Sequence, residues 1–190
     1  MTKEELITEI QTSFRDVKLD DGIGLWEGQG LDDYANETEI LKLRLKDERN
    51  NWDSISYEDL AYAQSSLSFF DAKGMRFCLP KFLIFDILED EIFEERGINS
   101  PDVIFTIGHN LNEEYQKNRF SLFDNRQIET IIYYLKYKID KIISTREEYL
   151  TDYDYNELTR TLNEWKTMRN KKTATNKGFA IVGRNCKVQR

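Results

Sequence analysis

The sequence predicts an all-α fold: a single compact domain of about six helices, with a short extended crossing at residues 75–79 and a basic C-terminal tail. Apolar residues recur at helical spacing along most of the 190 residues. Only two prolines interrupt them, and a third of the residues are charged, which is typical of chains rich in long helices. The one stretch with strand character, "VIFTI", has no evident partner strand, so no sheet is expected.

The N-terminal helix is marked by Thr2 and Glu5, which have the spacing of a capping box. Apolar residues follow it at helical intervals, namely Leu6, Ile7, Ile10 and Phe14. Residues 16–30 hold four glycines, so a looser segment with at most a short helix is expected there.

Two further helices are expected before the middle of the chain. Residues 37–49 predict a helix with Ile40, Leu41 and Leu45 on one side. Residues 56–67 predict a third helical stretch, which begins after a weaker capping signal.

The middle of the chain, "SFFDAKGMRFCLPKFLIF", places a charged turn between two apolar runs. Asp71 and Gly74 predict a tight turn in which Gly74 supplies a positive φ. Alternating residue types then predict the extended segment 75–79. Pro80 restricts Leu79 to extended geometry and suits the first position of a new helix.

That new helix is apolar on nearly all sides, so it is expected to be central and buried and to end before Gly97. Residues 98–110 predict a loop. A capping-box spacing at Asp124 and Gln127 starts the clearest amphipathic helix, which continues to about residue 143. A last helix is expected at 154–169.

Charge divides the chain into an acidic body and a basic tail. The net charge is −8, but residues 166–190 carry eight positive charges and no negative ones, so the remainder has a net charge of −16. We therefore expect a helical domain at 1–169 and a tail at 170–190 that is either flexible or docked on the body. An acidic body repels nucleic acid and favours a basic protein partner, which leaves the tail as the one nucleic-acid candidate.

Several classes of site are not supported. Two cysteines, Cys78 and Cys186, predict neither a disulfide framework nor a zinc site, which is consistent with a reducing cytoplasm. The sequence contains no signal-peptide pattern and no apolar run long enough to span a membrane. No P-loop, G-x-G-x-x-G or calcium-loop spacing is present. We expect no cofactor and no metal.

The single histidine, His109, could act as a lone general base, but such residues more often bond to the backbone at a loop–helix junction. Asp86 and Asp90 stand four residues apart on the central helix and could hold a cation. A solvated acidic face is the more common explanation of that spacing, so no catalytic residue is assigned.

Residues 69–82 contain the pattern F-x-D-x-x-G-x-R-F-x-L-P, formed here by Asp71, Gly74, Arg76, Phe77, Leu79 and Pro80 after a phenylalanine. This pattern resembles that of an uncharacterised bacterial family with a small, mainly helical domain. "GIGLWEGQGLDDY", "KDERNNWDSIS" and "RFSLFDNRQIETIIYYLKY" are also similar to it, so the resemblance covers most of residues 5–140. It implies a fold unit and no activity.

Two roles are open for the motif residues in the middle of the chain, and the first is structural. Asp71 would cap the turn while Arg76 pairs with it, or with Asp47 or Glu48. In the second, Arg76, Asp71, Asp47 and Trp52 would line a small polar pocket.

The leading functional hypothesis is a non-enzymatic, cytoplasmic protein-interaction module, of which an immunity- or antitoxin-like protein is one instance. The first alternative is a small enzyme using Asp71 and Arg76, with His109 or Asp86. The weaker alternative is nucleic-acid contact through the basic tail.

Overall fold

The computed structural model describes residues 1–145 and 152–185, and within them every regular element is a helix. The all-α class is therefore confirmed, with ten α-helices in the described residues rather than about six. They are α1 Lys3–Ser13, α2 Leu25–Asp32, α3 Glu37–Lys46, α4 Tyr57–Tyr62, α5 Ala72–Ile87, α6 Glu89–Arg96, α7 Val103–Gly108, α8 Glu114–Arg119, α9 Asn125–Thr145 and α10 Asp152–Asn185. Two short 3-10 helices span Trp52–Ser54 and Gln64–Ser68.

The chain forms two compact units, Met1–Phe123 and Asp124–Arg190. The boundary expected at residue 169 falls inside α10, which runs to Asn185. Whether residues 170–190 act as a separate tail stays a prediction, and residues 186–190 lie outside the described part of the chain.

The core of the first unit is built around α5, of which thirteen of sixteen residues are buried. Helices α1, α7 and α8 and the 3-10 helix at Trp52–Ser54 pack against α5. Burial on all sides follows from a sequence that is apolar nearly all round. Phe77 and Leu79 are fully buried in this core.

The extended crossing predicted at 75–79 is wrong, because these residues lie in the first two turns of α5. The alternation was misleading, since Cys78 is as buried as Phe77 and Leu79. Pro80 does not start a helix but lies inside one. Burial of apolar surface on every side outweighs the N–H group that proline removes from the helix.

Two further expectations are corrected. The segment 98–110 is not all loop, because Val103–Gly108 forms α7, capped by Asp102, whose Oδ1 accepts the N–H of Phe105 at 2.8 Å. The central helix is divided at Leu88 into α5 and α6. Its end before Gly97 is confirmed, and Gly97 closes α6 with φ 69°.

The second unit is dominated by α9 and α10. Asp124 and Gln127 exchange the two capping hydrogen bonds expected from their spacing, at 3.1 and 2.9 Å. The buried apolar faces of the two helices carry Ile128, Ile131, Ile132, Leu135, Leu158, Leu162 and Trp165. Arg169 of α10 pairs with Glu129 of α9 at 2.7 Å. The last helix expected at 154–169 is thus confirmed in place but is longer.

Candidate functional site

Asp71 ties the segment before α2 to the start of α5. It is the N-cap of α5, and its Oδ1 accepts hydrogen bonds from the N–H groups of Gly74 at 2.7 Å and Ile23 at 3.2 Å. An N-cap carboxylate satisfies an N–H that has no partner within the helix. The structural role expected for Asp71 is therefore the one its geometry supports.

Gly74 lies inside α5, and the positive φ expected there is wrong. What requires glycine is the approach of another backbone segment. A Cβ at this position would overlap the carbonyl oxygen of Ile23, a backbone atom that cannot turn aside. Gly74 therefore lets residues 22–24 lie directly against the first turn of α5.

Asp47 caps α2 from a different part of the chain. Its carboxylate accepts the N–H groups of Trp26 at 2.7 Å and Glu27 at 3.3 Å, both in the first turn of α2. The N-cap position itself is Gly24, where a Cβ would overlap the Asp47 side chain. Burial raises the pKa of Asp47 to about 6 despite these two N–H donors, and the neighbouring Glu27 carboxylate adds to the rise.

Two arginines fix the backbone that leads into α2. Arg44 donates from Nη1 to both carboxylate oxygens of Glu27, at 2.9 and 2.7 Å, and from Nη2 to the carbonyl of Asp21 at 2.6 Å. Arg49 donates from Nε to the carbonyl of Asp20 at 2.9 Å and from Nη2 to that of Gly22 at 3.1 Å. Residues 20–22 are thereby held by side chains in place of regular secondary structure.

An open groove of about 590 Å³ lies beside this fixed segment. It is lined by Asp20, Asp21, Leu41, Arg44, Leu45 and Arg49. Helix α3 has no buried residue, and its Leu41 and Leu45 are 61% and 87% exposed. Two leucines one helical turn apart thus form one wall, and charged side chains form the rest. We call this the α3 groove.

The expected grouping of Ile40, Leu41 and Leu45 on one side of α3 is corrected. Leu41 and Leu45 point to the groove, whereas Ile40 and Leu43 face α2, where a Cβ at Gly30 would meet their Cδ1 atoms. Apolar residues occur on both sides of α3, so their spacing alone could not decide which side is covered.

The structure brings only some of the candidate residues together. Asp47, Asp71 and Gly74 all contact the segment Gly22–Glu27. Trp52 is buried, and its Nε1 donates to the Phe14 carbonyl at 2.8 Å. Its contact is to the backbone that follows α1.

His109 lies elsewhere in the first unit. It is exposed at the end of α7, where its ring stacks on Phe105 with centroids 4.6 Å apart, and its Nε2 is 3.0 Å from Asn110 Nδ2. Its backbone carbonyl accepts a hydrogen bond from Gln116 at 2.7 Å.

Arg76 is half-buried on α5, and its pairing with Asp71, Asp47 or Glu48 stays a prediction. Asp86 is buried on α5, whereas Asp90 is exposed on α6. Within residues 1–145 and 152–185, no group of three or more His, Cys, Asp or Glu side chains is arranged to hold a metal ion.

Cys78 is a buried core residue. Burial raises the pKa of its thiol well above the usual range, and the carboxylates of Asp47 and Asp71 raise it further. The thiol is therefore protonated and shielded, unlike a reactive cysteine.

The sequence reasoning missed the α3 groove and its two arginines. Their acceptors are carbonyl groups and one carboxylate that lie 17–29 positions earlier in the chain. The available signal was the Asp- and Gly-rich stretch before α2, which contains few residues able to form regular structure by themselves.

Residues 2–167 match a protein family, DUF6714. The chain belongs to this family. DUF6714 is a family of unknown function, so membership supports the fold unit and assigns no activity. All residues of the α3 groove lie within the matched part. No curated protein and no solved structure matches the chain. No helix in the described part of this DUF6714 chain combines the length and apolar character needed to cross a membrane.

Proposed function

We propose that the protein is a non-enzymatic protein-interaction module that binds a basic protein partner at the α3 groove. An immunity protein or antitoxin that covers a basic target is one instance of this class. The observation that carries the proposal is the wall formed by Leu41 and Leu45, which leaves two large apolar side chains in water within a concave, charged surround. Apolar patches with a polar rim are typical of protein-binding surfaces.

The charge of the unit that carries the groove supports a basic partner. Residues 1–123 contain 26 acidic and 13 basic residues, a net charge of −13. Such a field attracts a positively charged protein and speeds its association. The effect is screened by salt, so the affinity is expected to fall as the salt concentration rises.

The engagement of Asp71 supports the interaction hypothesis over the small-enzyme alternative. Its Oδ1 accepts two backbone N–H groups that hold the α5 terminus and the segment before α2. A carboxylate used in this way stabilises the fold, and moving it to serve a reaction would leave both N–H groups without their acceptor.

Photo-crosslinking tests the proposal. A benzoylphenylalanine at position 45 is compared with one at position 122, since Leu122 is a partly exposed leucine of the same unit outside the groove. In extract of the source organism we expect one protein adduct at position 45 and none at 122.

Affinity for the purified partner then decides the matter. Leu45→Ser is expected to weaken binding about tenfold, because it removes roughly 60 Å² of apolar contact. Leu122→Ser is expected to have no effect. Equal adducts at both positions, or an affinity that Leu45→Ser leaves unchanged, would contradict the proposal.

A further inference from the structure

Most carboxylates near the α3 groove already have a partner. Asp21 pairs with Lys73, Glu27 binds Arg44, and Asp47 accepts the N–H groups of α2. Asp20 differs from them. Its side chain is exposed and forms no direct hydrogen bond or ion pair within the described ranges 1–145 and 152–185, although the Lys73 ammonium, which pairs with Asp21, also acts on it electrostatically.

The position of Asp20 is fixed by its backbone. Its carbonyl oxygen accepts hydrogen bonds from Arg49, and the next residue is held through its own carbonyl by Arg44. Asp20 adopts φ 52°, a left-handed conformation that aspartate tolerates better than most residues. The carboxylate is therefore presented from a rigid turn, which reduces the entropy lost when a ligand binds.

The hydrogen bonds of the two arginines in the lining go to groups other than the Asp20 carboxylate. Arg44 forms an ion pair with the Glu27 carboxylate. Arg49 donates hydrogen bonds from Nε and Nη2 to backbone carbonyl groups. Both arginines are thus parts of the groove wall. The net negative charge of residues 1–123 attracts a cationic group that enters the groove.

We infer that the groove takes an arginine side chain of the basic partner, whose stem packs on Leu41 and Leu45 and whose guanidinium meets the Asp20 carboxylate. An arginine combines an apolar stem with a charged end, which matches an apolar wall that leads to one carboxylate. Its planar guanidinium is less strongly hydrated than an ammonium group, so it is favoured over lysine in protein interfaces. This inference rests on the proposed function and specifies the chemistry of its anchor.

A matched pair of peptides tests the anchor on the full chain. The probes are acetyl-Leu-Arg-Leu-amide and the same peptide with citrulline, which keeps the shape of arginine without its charge. Binding is followed by amide chemical shifts. We expect the arginine peptide to bind about threefold more tightly, as an exposed ion pair allows, with shifts at residues 20, 41 and 45.

Substitution at the carboxylate isolates the contact. In Asp20→Asn the affinity ratio of the two peptides is expected to fall to about one. Asp16→Asn removes the same charge from an exposed position outside the groove lining, and it is expected to keep the threefold ratio.

The remaining outcomes separate the anchor from the groove itself. A ratio that stays threefold in Asp20→Asn, or that falls equally in Asp16→Asn, overturns the arginine anchor. If Leu45→Ser abolishes binding of both peptides while Asp20→Asn has no effect, the anchor fails and the proposed docking groove stands. If neither substitution alters binding, both proposals fail.

Discussion

Around the segment Gly22–Glu27, single side chains accept the backbone N–H groups that regular secondary structure satisfies elsewhere in the molecule. Asp47 and Asp71 each accept two backbone N–H groups from or near that segment, and Gly24 and Gly74 make room for the approach. Since each of these contacts depends on one side-chain type, each can be tested by one substitution.

Gly74→Ala is expected to lower the free energy of unfolding by about 2 kcal/mol or more, because the added methyl group overlaps a backbone carbonyl. Gly97→Ala is the control. The methyl group added at position 97 meets no atom within 4 Å. The expected loss of about 1 kcal/mol in the free energy of unfolding therefore comes from the left-handed backbone alone. Urea unfolding of both variants gives the comparison. A smaller loss for Gly74→Ala than for Gly97→Ala would contradict the close approach of Ile23.

The pKa of Asp47 predicts a pH dependence of stability. It is about 6 in the folded chain, above the ordinary value of 3.8, so the folded state binds more protons than the unfolded state between these values. The contribution of Asp47 is therefore most favourable below pH 4 and is lost as the pH rises through 6. The advantage of the native protein over Asp47→Asn should shrink by up to about 3 kcal/mol from pH 4 to pH 7.

Urea unfolding of the native protein and Asp47→Asn at pH 4, 5, 6 and 7 measures this difference. Asp16→Asn, at an exposed position, controls for the general effect of removing a charge. A difference that is constant or that grows with pH would show that the ionised form of Asp47 is the one the fold prefers.

Among the helices, α3 has two apolar sides with different roles. Ile40 and Leu43 face α2, whereas Leu41 and Leu45 are open to solvent. The double variant Leu41→Ser/Leu45→Ser is expected to change the free energy of unfolding by no more than about 0.5 kcal/mol. Ile40→Ser/Leu43→Ser is expected to cost at least 2 kcal/mol, on the order of the transfer free energy of two partly buried side chains. If both double variants lost the same free energy of unfolding in chemical denaturation, Leu41 and Leu45 would be as well covered as Ile40 and Leu43, and their exposure would be contradicted.

Helix ends were predictable where the capping residues are neighbours in sequence. Thr2 with Glu5 and Asp124 with Gln127 form the hydrogen bonds that their spacing predicts. The cap of α2 was not predictable, since Asp47 lies about twenty positions away from the N–H groups it accepts. The prediction that Pro80 starts a helix was wrong for a related reason. The local preference of proline is to start a helix, but the apolar surroundings of α5 decide.

Over the whole molecule, composition predicted the class of fold and the separation of charge. The first unit has a net charge of −13, residues 124–165 have one of −3 and residues 166–190 have one of +8, so the change of sign falls within α10 and not at the boundary between the two compact units. The sequence could not show where the acidic unit leaves apolar surface in water. That depends on which side of α3 is covered, which is decided by the packing of α2 and its glycines.

The contacts that shape the groove join stretches 17 to 52 positions apart in the chain. No excised fragment spanning only α3 can reproduce the recognition surface, because such a fragment lacks both the turn at Asp20 and the arginine-held backbone beneath it. A competitor designed to mimic this protein would need to retain the whole first unit, Met1–Phe123, as one folded piece. During folding, loop closure over these distances must come first, so the docking competence arises only once that part of the chain has assembled.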